Sequence, residues 1–141
     1  MKSRDYSTHI STDASLKGAF KSINNVSKWW TADFEGHSEE LNDIFTVHFG
    51  ETYVTIQLVE LIPDEKIGWL VIDCNKPWLK DKKEWNGTQM SWEIFEKGDK
   101  TQIRFTHLGL VPEMECYGVC ENAWTDYLQI SLANLINADK E

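Results

Sequence analysis

His107 is the residue whose setting most readily suggests chemistry. From Thr101 to Leu108 the chain alternates, so that Ile103, Phe105 and His107 share one face of a strand while Gln102, Arg104 and Thr106 share the other. An imidazole at the end of an apolar strand face can hydrogen-bond a ligand or act as a base near neutral pH. It can equally be a buried histidine bonded to the backbone of the turn at Gly109, and both readings stay open here. Three more polar groups fall on the apolar half of a helix predicted downstream: the indole N–H of Trp124 and the hydroxyls of Tyr127 and Ser131. Once buried, each needs a backbone partner or a ligand.

Cys116 and Cys120 stand one helical turn apart, and thiolates at that spacing can face one ion. Structural zinc wants four ligands, however, and no second Cys or His pair has suitable spacing, so no metal site is expected. A regular helix is also a poor frame for a disulfide, which leaves all three cysteines expected as reduced thiols. The sequence contains no glycine-rich phosphate loop, no serine elbow and no evident pair of catalytic carboxylates. No catalytic residue and no cofactor is therefore assigned.

These residues are positioned by a strand that runs into a long amphipathic helix. Val111-Pro112 stops the strand, because proline has no N–H to donate, and the helix is predicted from Met114 to Ile136. At 100° per residue Cys116, Val119, Cys120, Ala123, Trp124, Tyr127, Leu128, Ile130 and Leu135 fall in one half of the wheel. About 23 helical residues span roughly 35 Å, which calls for a broad partner such as a curved antiparallel sheet.

The rest of the chain supplies one. Tyr6 to Ile10 reads as a first strand, Ser11-Thr12-Asp13 offers helix N-caps, and two short helices follow, interrupted at Asn24-Asn25 and ending on Trp29-Trp30. From Phe34 to Leu108 the period is two, with hairpin turns at Gly50-Glu51, Pro63-Asp64-Glu65 and Lys97-Gly98-Asp99. Between Val54 and Leu61 the apolar phase switches, which predicts a bulge near Leu58-Val59. Ile67 to Ile72 is apolar almost throughout and is predicted to be central or covered on both faces. Cys74 to Trp85 is the longest stretch without periodicity and is expected to be a mobile loop.

The formal charge of −9 argues against nucleic acid and against an anionic membrane surface. No run is long enough to span a bilayer and the N-terminus has no signal-like hydrophobic region, so the expectation is one cytoplasmic domain over residues 1–141. Seven Trp, six Phe and four Tyr can either fill a core or line a pocket.

Trp29-Trp30-Thr31, Trp85-Asn86-Gly87-Thr88 leading into Met90-Ser91-Trp92, and Thr106 to Glu113 followed by Cys116, Cys120 and Trp124 resemble the family of the activator of Hsp90 ATPase homologue, within the START and Bet v 1-like (SRPBCC) superfamily. The resemblance covers essentially the whole chain. It implies an α+β helix-grip fold: a curved antiparallel sheet packed around the long C-terminal helix, two short helices after the first strand, and a hydrophobic cavity between sheet and helix. The superfamily holds lipid carriers, hormone receptors, cyclases and chaperone regulators, so the fold alone does not fix an activity.

The inward set inferred from parity is Phe45, Val47, Ile56, Met90, Trp92, Ile103, Phe105 and His107 from the sheet, with Trp124, Tyr127 and Ser131 from the helix. Its many apolar and few polar members suit burial of a small apolar or aromatic molecule with one or two orienting hydrogen bonds and no chemical step. The alternatives are a surface-acting chaperone regulator in stress response, or a cyclase or hydrolase using the same cavity. The density of large aromatics predicts a small or narrow cavity.

Overall fold

The computed structural model describes residues 5–111, 115 and 117–139. Seven strands form one antiparallel sheet: β1 (Tyr6–Thr12), β2 (Phe34–Gly36), β3 (Ile44–Phe49), β4 (Thr52–Ile62), β5 (Lys66–Asn75), β6 (Gln89–Lys97) and β7 (Lys100–Leu108). Their order across the sheet is β1-β7-β6-β5-β4-β3-β2. Two short helices, α1 (Leu16–Asn24) and α2 (Val26–Trp29), separate β1 from β2, and a C-terminal helix begins at Tyr117. The expected start at Met114, and Cys116 with it, lie outside the described residues. Among the described residues no helix is long and apolar enough to cross a membrane.

The sheet follows the hydrophobic pattern closely. The phase switch in β4 is a bulge, with the register shifting between Leu58 and Glu60 so that Val59 is left without a partner on β5. β5 is the middle strand of the seven. Its apolar run is covered mainly on one face: Ile67, Trp69 and Val71 are buried, whereas Ile72 on the other face is exposed. Beside the bulge, Gly68 leaves room for Glu60, whose Cβ would lie 2.9 Å from a Cβ added there. At the helix start, the cap is Ser15, whose hydroxyl accepts from Gly18 N at 3.0 Å; the earlier Thr12 instead accepts from Ala14 N.

The C-terminal helix departs from the regular wheel. An α-helical part, α3 (Tyr117–Asp126), passes into a π-helical segment (Tyr127–Leu132) and returns to α geometry in α4 (Ala133–Asp139). The buried residues are Cys120, Trp124, Leu128, Leu132 and Ile136, a strict spacing of four. In a regular α-helix each step of four overshoots a full turn by about 40°, so such a stripe would wind away from the sheet. The wider π turn offsets that drift, and Ala133 N–H reaches the Leu128 carbonyl five residues back. Ile130, inside the apolar half of the regular wheel, is consequently exposed; Val119, in the regular α part, is exposed as well.

Polar ties fasten this helix to the first strand. Tyr6 Oη lies 2.7 Å from Thr125 Oγ1, Gln129 Nε2 donates to the His9 carbonyl at 2.6 Å, and Thr12 Oγ1 donates to Asn137 Oδ1 at 3.0 Å. Beneath the helix, Trp69 meets Trp92 edge to face at 5.2 Å between ring centroids, and Phe105 packs on Trp92 and Trp124, each at 4.6 Å. Because Trp92 is fully enclosed by this packing, Trp92→Ala is expected to cost about 3–5 kcal/mol of stability, measured by chemical denaturation.

Candidate functional site

The cavity lies at one end of the space between helix and sheet, with a volume of about 250 Å³. Trp30, just past α2, and Phe49, Thr52 and Val54 from the β3–β4 hairpin form one side. Val119, Cys120, Ala123, Trp124 and Tyr127 of the C-terminal helix form another. Lys76, Trp78 and Trp85 border it from the segment between β5 and β6, and the cavity stays open to solvent.

That segment is the aperiodic stretch of the sequence, and it is built of successive turns. Leu79 N bonds Lys76 O, Glu84 N bonds Asp81 O and Asn86 N bonds Lys83 O. Buried Leu79 and Trp85 anchor it from inside, while Lys83 pairs with Asp73 at 2.8 Å on the outside. Glu115 ties it to the start of the C-terminal helix by accepting from Lys80 N at 2.9 Å. Its lack of period reflects turn structure.

Of the residues inferred from parity, Trp124 and Tyr127 line the cavity. Phe45, Val47, Ile56, Met90, Trp92, Ile103 and Phe105 are all buried on the inner sheet face, where they belong to the closely packed core. Ser131 is half-buried in the π segment, away from the cavity lining. Parity identified the inward face correctly but could not say where along that face packing stops. Ten lining residues stand outside that set, and four of them had a compositional signal: Trp30 closes the adjacent tryptophan pair, and Lys76, Trp78 and Trp85 cluster in the stretch lacking periodicity.

His107 stands directly behind the cavity wall, wholly enclosed. Its ring nitrogens are both engaged, by side chains instead of turn backbone. Trp124 Nε1 donates to His107 Nδ1 at 3.1 Å, and His107 Nε2 lies 2.9 Å from Thr88 Oγ1. An indole N–H can only donate, so Nδ1 must be the acceptor and Nε2 must carry the proton. Thr88 completes the chain by donating to the Trp85 carbonyl at 2.7 Å. Gly109 leaves room for Thr88: its φ is +102°, and an added Cβ would approach Thr88 Cγ2 to 2.8 Å.

The electrostatics agree with this arrangement. Burial, reinforced by the positive charge of Lys76, pushes the His107 pKa down to about 3. The imidazole is therefore neutral at pH 7, with its one lone-pair nitrogen already taken by Trp124. Tyr127, by contrast, makes no hydrogen bond through its hydroxyl among the described residues, and burial raises its pKa. Cys74, behind the turns, is buried with its thiol raised by the same cause. No group of three or more His, Cys, Asp or Glu among the described residues is arranged to hold a metal ion.

The model for the family described as Activator of Hsp90 ATPase homolog 1-like protein matches residues 18–137. The chain belongs to this family. Its helix-grip fold recurs in solved structures of low sequence identity. The Aha1 dimer from Colwellia psychrerythraea is 20% identical, with a TM-score of 0.77 and coverage of 96% of this chain and 98% of that one. A protein from Mesorhizobium loti is 9% identical, with a TM-score of 0.74 and coverage of 96% and 99%. CalU16 from Micromonospora echinospora is 12% identical, with a TM-score of 0.68 and coverage of 96% and 75%. No curated protein matches the sequence. The family thus gives a fold generally used for ligand binding or regulation, and the site has to indicate which.

The depressed His107 pKa carries a sign that can be tested. Unfolded, this histidine takes up a proton below pH 6.5; folded, it stays neutral until about pH 3. The unfolded state binds more protons in that window, so the contribution is complete above pH 6.5 and is lost as pH falls towards 3, a change on the order of a few kcal/mol. Denaturation measured across the window is expected to show this slope in the native protein and a shallower one in His107→Gln.

Proposed function

We propose that the protein binds a small aromatic or apolar molecule in this cavity and performs no chemical step on it. The observation that carries the reading is the cavity wall, in which Trp30, Phe49, Val54, Trp85, Trp124 and Tyr127 face about 250 Å³ of space. That volume is just below the usual range of about 300–1,000 Å³ for ligand pockets and suits a molecule of one or two rings. The Tyr127 hydroxyl, with no partner among the described residues, is the group available to orient it. A base role for His107 has little support, because both ring nitrogens are committed within the protein.

Family membership favours a second reading, a regulator of an Hsp90-type chaperone acting through its surface. The two differ in whether the cavity matters. Titration with a panel of aromatic and apolar molecules, followed by tryptophan fluorescence and amide chemical shifts, is expected to give a saturable response centred on Trp124 and Tyr127. A ligand at a hundred times its Kd should stabilise the fold by about 2.7 kcal/mol. Ala123→Trp, which fills the cavity from the helix side, is expected to remain folded and to lose the response. Silence across the panel would leave the surface reading as the better supported one.

A further inference from the structure

Lys76 is the feature that an apolar cavity does not explain. It follows β5 directly, and only 7% of its surface is exposed. Its Nζ lies 4.0 Å from the centroid of the Trp85 ring and 5.5 Å from that of Trp78. Attraction to two indole faces can hold an ammonium there, yet it supplies neither a hydrogen-bond acceptor nor a countercharge.

Other lysines of this chain are treated differently. Lys66, Lys83 and Lys100 each pair with a carboxylate, Lys66 half-buried and the other two exposed. Lys76 is the buried one among the described residues, and among them no Asp or Glu comes within ion-pairing distance of it. None of the described residues lining the cavity is acidic. In a chain where 23 acidic residues outnumber 14 basic ones, the one charge placed at the cavity is positive. An ammonium largely removed from water without a countercharge is costly to keep, and an anion entering the cavity would supply the missing partner.

We propose that the molecule bound in this cavity carries a single negative charge, a carboxylate, which pairs with Lys76 while its aromatic or aliphatic body lies against the wall formed by Trp30, Trp85 and Trp124. This rests on the reading of the cavity as a ligand site. One lysine with no arginine and no second lysine in the lining matches a monoanion; a phosphate dianion would be left half compensated. Neutral His107 behind the wall adds no positive charge, so discrimination falls to Lys76 alone.

The test compares acids with their uncharged amides of the same shape: benzoate with benzamide, phenylacetate with phenylacetamide, and naphthoate with naphthamide. Affinities are measured by calorimetry at pH 7 and low salt, on the native protein, Lys76→Met and Lys76→Arg. A charge-assisted hydrogen bond corresponds to a preference of about tenfold to a hundredfold for the acid in the native protein. That preference is expected to disappear in Lys76→Met, with the amide's affinity little changed, and to persist in Lys76→Arg. Acids and amides binding the native protein equally well would overturn the proposal while leaving the cavity a ligand site, as would a preference that survives in Lys76→Met. If no member of any pair binds, the proposal and the reading beneath it both fall. The comparison in the native protein decides the matter even if Lys76→Met does not fold.

Discussion

A histidine sealed in an aromatic core is tolerable only if each ring nitrogen has a partner, and meeting that requirement fixes much of this structure. The chain of bonds from Trp124 through His107 and Thr88 to the Trp85 carbonyl joins the C-terminal helix, the end of β7, the entry to β6 and the last of the turns beside the cavity. Each link holds the next in one orientation, because the indole can only donate and the imidazole must then donate from its other nitrogen. Trp85 and Trp124, so fixed, stack with ring planes 6° apart and form a wall of the cavity. The polar network is thus buried behind the site, giving rigidity to aromatic surfaces that do the contacting.

The helix has to satisfy two demands at once. It must keep a stripe of buried residues along the sheet, and it must present Trp124 to His107 while Tyr127 faces the cavity. A spacing of four from Cys120 to Ile136 meets the first demand only if the helix opens to π geometry part-way along. The opening begins at Tyr127, directly after the turn bearing Trp124, so the change in helical pitch coincides with the end of the cavity. Hydrogen bonds between the helix and Tyr6, His9 and Thr12, with the His9 carbonyl accepting from Gln129, hold this irregular stretch against the edge strand.

Close packing and open space divide the inner face of one sheet. Towards β6 and β7, Trp92, Ile103 and Phe105 interlock with Trp29, Trp69 and Trp124, leaving the indole N–H groups of Trp69 and Trp92 without hydrogen-bond partners among the described residues. An orphan donor is ordinarily costly, and the edge-to-face ring contacts of these two indoles are where such N–H groups can find weak compensation. Towards the β3–β4 hairpin the smaller Thr52 and Val54 stand beside Phe49, and the space they do not fill is walled by turns that bring in Lys76 and Trp85. A helix-grip fold can in this way be mostly solid and still keep a site at one end.

How much of this was legible in the sequence depends on the range of the interaction involved. Alternation along a strand is set by the pleat, so the inner face, the hairpin turns and even the bulge at Val59 could be read from order alone. The long helix was legible for the same reason, and the motifs around Trp30, Trp85 and Trp124 pointed to the family and hence to the grip of helix and sheet. The π segment was not, because a wheel drawn at a fixed angle cannot show that a stripe spaced by four will be straightened by the surface it packs on; Ile130 falls inward on that wheel and is exposed in the structure for that reason. The cavity was not either. Whether Trp92 meets another ring or Trp124 meets empty space depends on which side chains converge from strands and turns distant in sequence, and His107 acquires its donor and acceptor roles only when Thr88 and Trp124 reach it. The sequence by itself determined the elements and the face each one buries, since those follow from local geometry; where the core closes, where it stays open and which charge stands at the opening were decided by the tertiary structure, since those depend on volume and distance between parts that only folding brings together.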